Sequence, residues 1–397
     1  MANNNKHTGP NVPALRFPEF GGEWEYVPLS TYAKKITEKN KGNKIKNVLC
    51  NSATQGIVPQ SEYFDREIAN NENTDGYYVV RNQDFVYNPR KSVSAPYGPV
   101  NIYNGEDDGI ISPLYLCMKI RGIDKNYLLH YFKSPAWYPY IYQNGDSGVR
   151  HDRVSIKDEV FLAMPVSVPN GDEQRKIAKF LGAINERIAT QNKIIEELTA
   201  LRSALTEKCS RQAGTLFSLA DILEETDERS TVVNQHQVLS STVKGIFSQK
   251  EYFNKDIASE DNKGYKVVRR GNVVLSPQNL WMGNINYNNR FDVGIVSPSY
   301  KIYSIKKGFN PTFIATLLKT KKALYEYMLA SEQGASIVRR NLNIEAFMAI
   351  KFRIPDARQQ DSLSLAITAI NAKLNNEQCY LEQLTMQKSC LLKNMFI

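Results

Sequence analysis

Along two stretches of this chain, apolar residues recur at spacings of four, three, four, three. The first runs Ile177, Leu181, Ile184, Ile188, Gln191, Ile195, Leu198, Arg202, Leu205. The second runs Leu363, Ile367, Ile370, Leu374, Glu377, Leu381, Leu384, Lys388, Leu391, at a constant offset of 186. A mean period of 3.5 residues makes a coiled-coil seam. Polar residues interrupt both seams at the same two steps, which costs stability and fixes register. Matching interruptions predict helices that pair with each other, rather than helices that each lie on their own domain. Both stretches open on a proline and a capping-box pattern, Asn170 with Glu173 and Asp356 with Gln359. A helix of about 35 residues is roughly 50 Å long, so the pair predicts a stiff rod.

Outside the heptads the pattern shortens. YYVVRNQDFVYNP and YKVVRRGNVVLSP read as strands closed by Asn-Pro or Ser-Pro turns. KNYLLHYFKS and NPTFIATLLKTKKALYEYM read as helices among them. These strings come in pairs. QSEYFDREIA, Gln60 to Ala69, returns as QKEYFNKDIA, Gln249 to Ala258, with six of ten positions identical. GYYVVR at Gly76 returns as GYKVVR at Gly264, and GIISPLY at Gly109 returns as GIVSPSY at Gly294. Order is kept and the offset drifts only from 189 to 185, as loop insertions would make it. The chain is therefore a tandem duplication of an α+β unit: a strand-rich mixed globule followed by a long helix, twice. Tyr63, Phe64, Ile68, Val79 and Val80 and their counterparts read as core.

Composition narrows the class. At 397 residues with 42% hydrophobic content the chain can bury two or three cores. Its net charge of +9 favours a polyanion partner moderately. Five scattered cysteines without CxxC fit reduced thiols in a cytoplasm, and the four histidines have no metal-ligand spacing. No apolar run of about 18 residues is present to span a membrane. There is no phosphate-cradling GxxxxGK[ST], no GxGxxG after a strand, no nucleophile elbow and no HExxH. NPR at Asn88 lacks the second proline and the aromatic residue of an adenine methyltransferase loop, and reads as a turn.

With repeat and rod in view, the chain resembles the specificity subunit of type I restriction–modification systems. LRFPEFGGEWEYVPLSTYA from Leu15, the paired strings above and VPNGDEQRKIAKFL from Val168 carry the resemblance, over nearly the whole chain. It implies two target-recognition domains, each reading one half of a split, asymmetric duplex DNA sequence, and two long helices packed antiparallel that set the half-site spacing. It also implies a non-catalytic chain that docks two modification (methyltransferase) subunits, with restriction subunits in the full complex. S-adenosylmethionine would then belong to the modification subunits, and ATP with Mg to the restriction subunits. The expected divisions are a disordered tail 1–14, a first recognition domain 15–168, a helix 169–211, a second recognition domain 212–354 and a helix 355–397.

The repeated strings read as scaffold, and the divergent loops between them as the DNA-contacting surface. In the first half these offer Thr54 and Gln55; Arg90, Lys91, Ser92, Ser94 and Tyr97; and Ser147, Arg150, His151 and Arg153. In the second half they offer Thr242 and Lys244; Gln278, Asn279, Trp281 and Asn284; and Ser336, Arg339, Arg340 and Asn341. Arg and Lys can donate to guanine, and Asn and Gln pair with adenine. Gln278 and Asn279 are the expected base readers, and Arg339 and Arg340 the expected phosphate clamps. Two other readings compete: a duplicated structural or protein-binding adaptor with incidental basic charge, and a self-sufficient modification enzyme. Salt-dependent duplex binding separates the first from DNA reading, and the missing cofactor loop argues against the second.

Overall fold

The computed structural model describes residues 11–63, 74–146, 152–253, 261–333 and 340–397. They divide into two units, Met1–Gln191 with Tyr380–Ile397, and Asn192–Cys379. In the first unit an antiparallel sheet has the order Ala33–Lys35, Leu116–Ile120, Phe85–Tyr87, Val100–Ile102. A second sheet has the order Gly56–Pro59, Val48–Ser52, Gly109–Ile111, Tyr78–Val80, and its two middle strands run parallel. Successive side chains of a strand point to opposite faces. Phe85, Tyr87, Leu116 and Met118 accordingly enter the main core with the helices. Val86 and Cys117 enter a smaller core with Leu49, Val80 and Ile111. Burial on both faces is why these strands read as nearly unbroken apolar runs.

The second unit repeats this plan. Its sheet has the order Leu223–Glu225, Lys301–Ile305, Asn272–Leu275, Ile285–Tyr287. Val273, Leu275 and Tyr303 face the main core, and Val274 and Ile302 the smaller one. The counterpart of the other sheet is two strand pairs, Leu239–Thr242 with Gly245–Ser248 and Lys266–Arg269 with Val293–Val296. A single parallel bridge, Val238 to Ile295, stands where the first unit has its parallel strands. The GYxVVR strings do identical work: Arg81 donates to both oxygens of Glu38 at 2.6 and 2.7 Å, and Arg269 to both of Glu228 at 2.7 and 2.9 Å.

Several expectations need correction. Val79 and Val80, with Val267 and Val268, are core, but Tyr63 and Tyr252 are exposed. Phe64 and Ile68 lie outside the described residues. The stretch from Asn310 is two helices, Pro311–Leu317 and Lys321–Leu329, because Thr320 caps the second by accepting from Ala323 N at 3.2 Å. Residues 11–14, expected in a disordered tail, are placed. Pro13 is buried, and the Asn11 carbonyl accepts from Trp24 N at 2.8 Å.

The long helices are Gly171–Ser210 and Ala357–Asn394. Asn170 and Asp356 cap them, accepting from Glu173 N and Gln359 N, each at 2.9 Å. Such a cap contributes about 1 kcal/mol. The expected return bond from Glu173 is replaced, since both its carboxylate oxygens accept from Arg16, at 2.7 and 2.8 Å. Along the seams Ile177, Leu181, Ile184, Leu363, Ile367, Ile370, Leu374 and Leu384 are buried. Ile188, Ile195, Leu198 and Leu381 are half-buried.

Within each unit the helices run antiparallel. In the first, Ile177 and Leu181 share a core with Leu391 and Met395, and Arg187 lies over the Tyr380 ring. In the second, Leu205 and Cys209 share one with Leu363 and Ile367. Those cores also hold the sheets, so the helix ends do lie on their own globules as well as beside each other. An apolar stripe broader than a strict seam can serve both contacts. Among the described residues no helix is long and apolar enough to cross a membrane.

Candidate nucleic-acid interface

In each unit the structure brings three divergent segments to one place. In the first unit the turn 52–56 presents Thr54 and Gln55 to solvent, with both backbone N–H groups donating to Ser52 Oγ at 3.3 Å. The loop after Phe85–Tyr87 is tied to that turn's strand by Asn88 Nδ2, which donates to the Asn51 carbonyl at 3.0 Å. The third segment pairs Asp146 with Ser155, and it meets the loop through a bridge between Arg90 and Arg153. Lys91 N also donates to the Asp152 carbonyl at 2.8 Å.

A concave cavity of about 430 Å³ opens among these segments, lined by Asn51, Ser52, Arg90, Lys91 and Ser92 and by Tyr63, Tyr77 and Tyr115. Arg90 is exposed and only loosely paired with Asp152, at 3.6 Å. Arg153 is half-buried, and its Nε is buried without a partner among the described residues. An unpaired buried donor is costly, and an incoming acceptor relieves it. Ser92 and Ser94 are exposed with their hydroxyls 3.4 Å apart. Tyr97 belongs to the scaffold: it is half-buried, tilted on Tyr138 at 5.0 Å, and its carbonyl accepts from Tyr87 Oη at 2.9 Å.

In the second unit the loop after Asn272–Leu275 winds into a 3₁₀ helix, Pro277–Met282, set by Pro277 at its start. It packs against the strand pair Ser331–Gln333 and Arg340–Leu342, where Arg340 lies over the Trp281 ring at 4.9 Å. Gln278 and Asn341 are exposed and Asn279 is half-buried. The turn adds exposed Lys244, whose N–H donates to Thr242 Oγ1 at 3.1 Å. Asn284 is a correction. It is only 5% exposed, accepts from Ser241 Oγ at 2.9 Å and donates to the Ser241 carbonyl at 3.0 Å, so it braces the loop rather than facing DNA. Ser147, Arg150, His151, Ser336 and Arg339 lie outside the described residues.

Sequence reasoning missed the polar layer beneath the loops. Asn101 donates to Asn51 Oδ1 at 2.5 Å and to the Ser52 carbonyl at 2.9 Å, and its own Oδ1 accepts from Lys133 Nζ. Burial, aided by Lys388, pulls Lys133 down to about 8. In the second unit Asn286 donates to Ser241 Oγ and the Thr242 carbonyl, both at 2.7 Å. Lys319 Nζ donates to the Gly283 carbonyl at 2.7 Å, and burial pulls this lysine too down to about 8. The two lysines are 186 residues apart, the helix offset. That offset was the available signal, but a lysine at or just past a helix end reads as surface until its partners are known.

Two copies of one frame therefore display different polar, basic and aromatic side chains from equivalent loops, the arrangement of a duplicated sequence-reading protein. Residues 22–200 match the family described as the type I restriction modification DNA specificity domain. The fold is shared with the S subunit of a type I restriction–modification system from M. genitalium, at 14% identity and a TM-score of 0.54, covering 97% of this chain and 99% of that one. It is also shared with a chain from a structure concerning complex assembly and conformational transition of the type I R-M system. That match has 11% identity and a TM-score of 0.55 and covers 94% and 97%. No curated protein sequence matches the chain.

Proposed function

We propose that this chain is the non-catalytic DNA-reading subunit of a type I modification or restriction complex. Each unit reads one half of a split, asymmetric duplex target. The long helices fix the half-site spacing and dock two modification subunits, to which restriction subunits add in the full complex. Methyl-group chemistry belongs to the modification subunits, with S-adenosylmethionine, and cleavage to the restriction subunits, with ATP and Mg.

The observation that carries this reading is the doubled loop cluster: Arg90, Lys91 and Arg153 on one copy of the frame, Gln278, Asn279, Trp281 and Arg340 on the other. A duplicated frame with identical loops would suit a symmetric target, whereas different loops suit two different half-sites. Guanidinium groups clamp phosphates or guanine, and exposed amides pair with adenine.

Methylation mapping in cells that hold this chain and its modification subunit tests it. The wild type should methylate one bipartite motif. Gln278→Ala with Asn279→Ala should relax positions in one half of it only, at about 1–3 kcal/mol per lost bidentate contact. A motif with a single uninterrupted core, or one unchanged by the double variant, would overturn the assignment.

A further inference from the structure

The duplication leaves one surface covered in the first unit and bare in the second. Identical hydrogen bonds mark the equivalent places. Gln174 accepts from Asp124 N at 3.0 Å and donates to the Pro169 carbonyl at 2.8 Å. Gln360 accepts from Asn310 N and donates to the Pro355 carbonyl, each at 2.9 Å. Strand register adds a second anchor: Glu25 pairs with Val168 and Thr215 with Ile354. Trp24 and Gly214, each one residue before, therefore occupy equivalent positions.

In the first unit residues 11–24 fill this ground. Trp24 is 2% exposed and meets Tyr127 edge-on at 6.2 Å. Phe17 meets Phe180 edge-on at 5.6 Å and lies under Lys176 at 5.0 Å. Arg16 is bound to Glu173 through both carboxylate oxygens. In the second unit the chain reaches Gly214 directly from the long helix that ends at Ser210, and nothing corresponds to residues 11–23. Gly214 cannot supply the missing bulk, because a Cβ there would sit 2.1 Å from the Ile354 carbonyl oxygen. A cleft of about 820 Å³ remains, lined by Phe217, Lys307, Phe309, Pro355 and Gln359. That is room for several side chains. Phe217 and Phe309 meet edge-on in it at 5.1 Å.

We propose that this cleft is a docking site for an extended segment of a partner protein carrying a large aromatic side chain. The first unit supplies the template, because there Trp24 and the Arg16–Glu173 pair stand at the positions that Gly214 and Gln359 hold in the cleft. Gln359 stands where Glu173 anchors Arg16, so a hydrogen-bonding group, charged or neutral, suffices for the occupant at that point. This docking does not rest on the DNA-reading assignment and uses none of its loops.

The test uses the full chain and a fluorescein-labelled peptide carrying residues 11–24 of this protein, read by anisotropy. A photo-crosslinking group at the Phe17 position locates the bound peptide. Saturable binding is expected, with cross-links to residues 214–217, 307–309 or 355–360. The peptide variant Trp24→Ala should bind at least about tenfold more weakly, since buried aromatic anchors dominate such contacts. Phe309→Ala in the protein should weaken binding by a similar factor. Absence of saturable binding, cross-links confined to residues 121–123 or 169–180, or equal affinity of the Trp24→Ala peptide would each overturn the proposal. The peptide variants decide the matter even if Phe309→Ala does not fold.

Discussion

Glu173 has no exposed side-chain surface, and among the described residues it is paired with Arg16, itself 12% exposed. Breaking a buried pair from one side leaves an uncompensated charge, which costs about 3–5 kcal/mol. Glu173 lies in the first turn of a helix, where the macrodipole favours a carboxylate, so the lower end of that range applies. Arg16→Ala should therefore lower the unfolding free energy by about 3 kcal/mol in urea. Adding Glu173→Gln should restore part of the loss, and a single-variant effect under about 0.5 kcal/mol, the size of an ordinary surface substitution, would contradict the geometry. Lys319 gives a pH-dependent counterpart. Its folded pKa of about 8 lies below the ordinary lysine value near 10.4. Between the two the unfolded chain holds more protons, so this residue makes stability rise with pH from 8 to about 10 and leaves it flat below. Buried Cys50, held up at about 11, pulls the other way above the ordinary thiol range. It is common to wild type and variant, however, and cancels in their difference. The stability of wild type minus that of Lys319→Met should climb over that window in denaturant titrations at stepped pH. A difference independent of pH would mean that the folded lysine keeps its ordinary pKa.

At the scale of elements, heptads and caps were legible because they depend on local spacing alone. The apolar seam residues are buried or half-buried as their period requires, the interrupting Arg202 is exposed, and both caps form. Leu374 is 3% exposed and Leu365, on the same helix, 73%. Leu374→Ala should cost about 2–5 kcal/mol, while Leu365→Ala should stay within about 0.5 kcal/mol. Equal effects in urea unfolding would mean that the seam is not the packed face. What the sequence hid was fixed by long-range partners. Tyr63 looked like core because it belongs to a repeated string, yet a frame can repeat its surface as faithfully as its interior. Asn284 looked like a base reader because it sits in a divergent loop, but Ser241, 43 residues earlier, takes up its amide. Glu173 fitted a capping box, and only folding brings Arg16, 157 residues away, to claim it. The loop clusters were legible as segments. Their convergence was not, since the bridge from Arg90 to Arg153 spans residues that local pattern reads separately.

At the scale of the whole molecule, the decisive question is whether the two loop clusters act as two readers of one duplex. Each phosphate contact contributes about 0.9 to the slope of log affinity against log salt on B-form DNA. Arg90 is exposed and weakly paired, so Arg90→Ala in the assembled methyltransferase should reduce that slope by about 1 and weaken all duplexes alike. Arg340 is held over Trp281 with Nη1 donating to the Met328 carbonyl at 3.5 Å, which leaves its other N–H groups to donate. Arg340→Ala should have the same signature, and Trp281→Ala should reproduce part of it by releasing the arginine. If the units bind independently, the double variant Arg90→Ala with Arg340→Ala loses the sum of the two free energies within about 0.5 kcal/mol. A double variant no worse than either single one would mean that only one cluster touches DNA. A bipartite reader would then reduce to a single reader with a structural twin, and the loop differences between the copies would need another cause. Fluorescence anisotropy on a duplex carrying the mapped motif, at several salt concentrations, distinguishes the two outcomes directly.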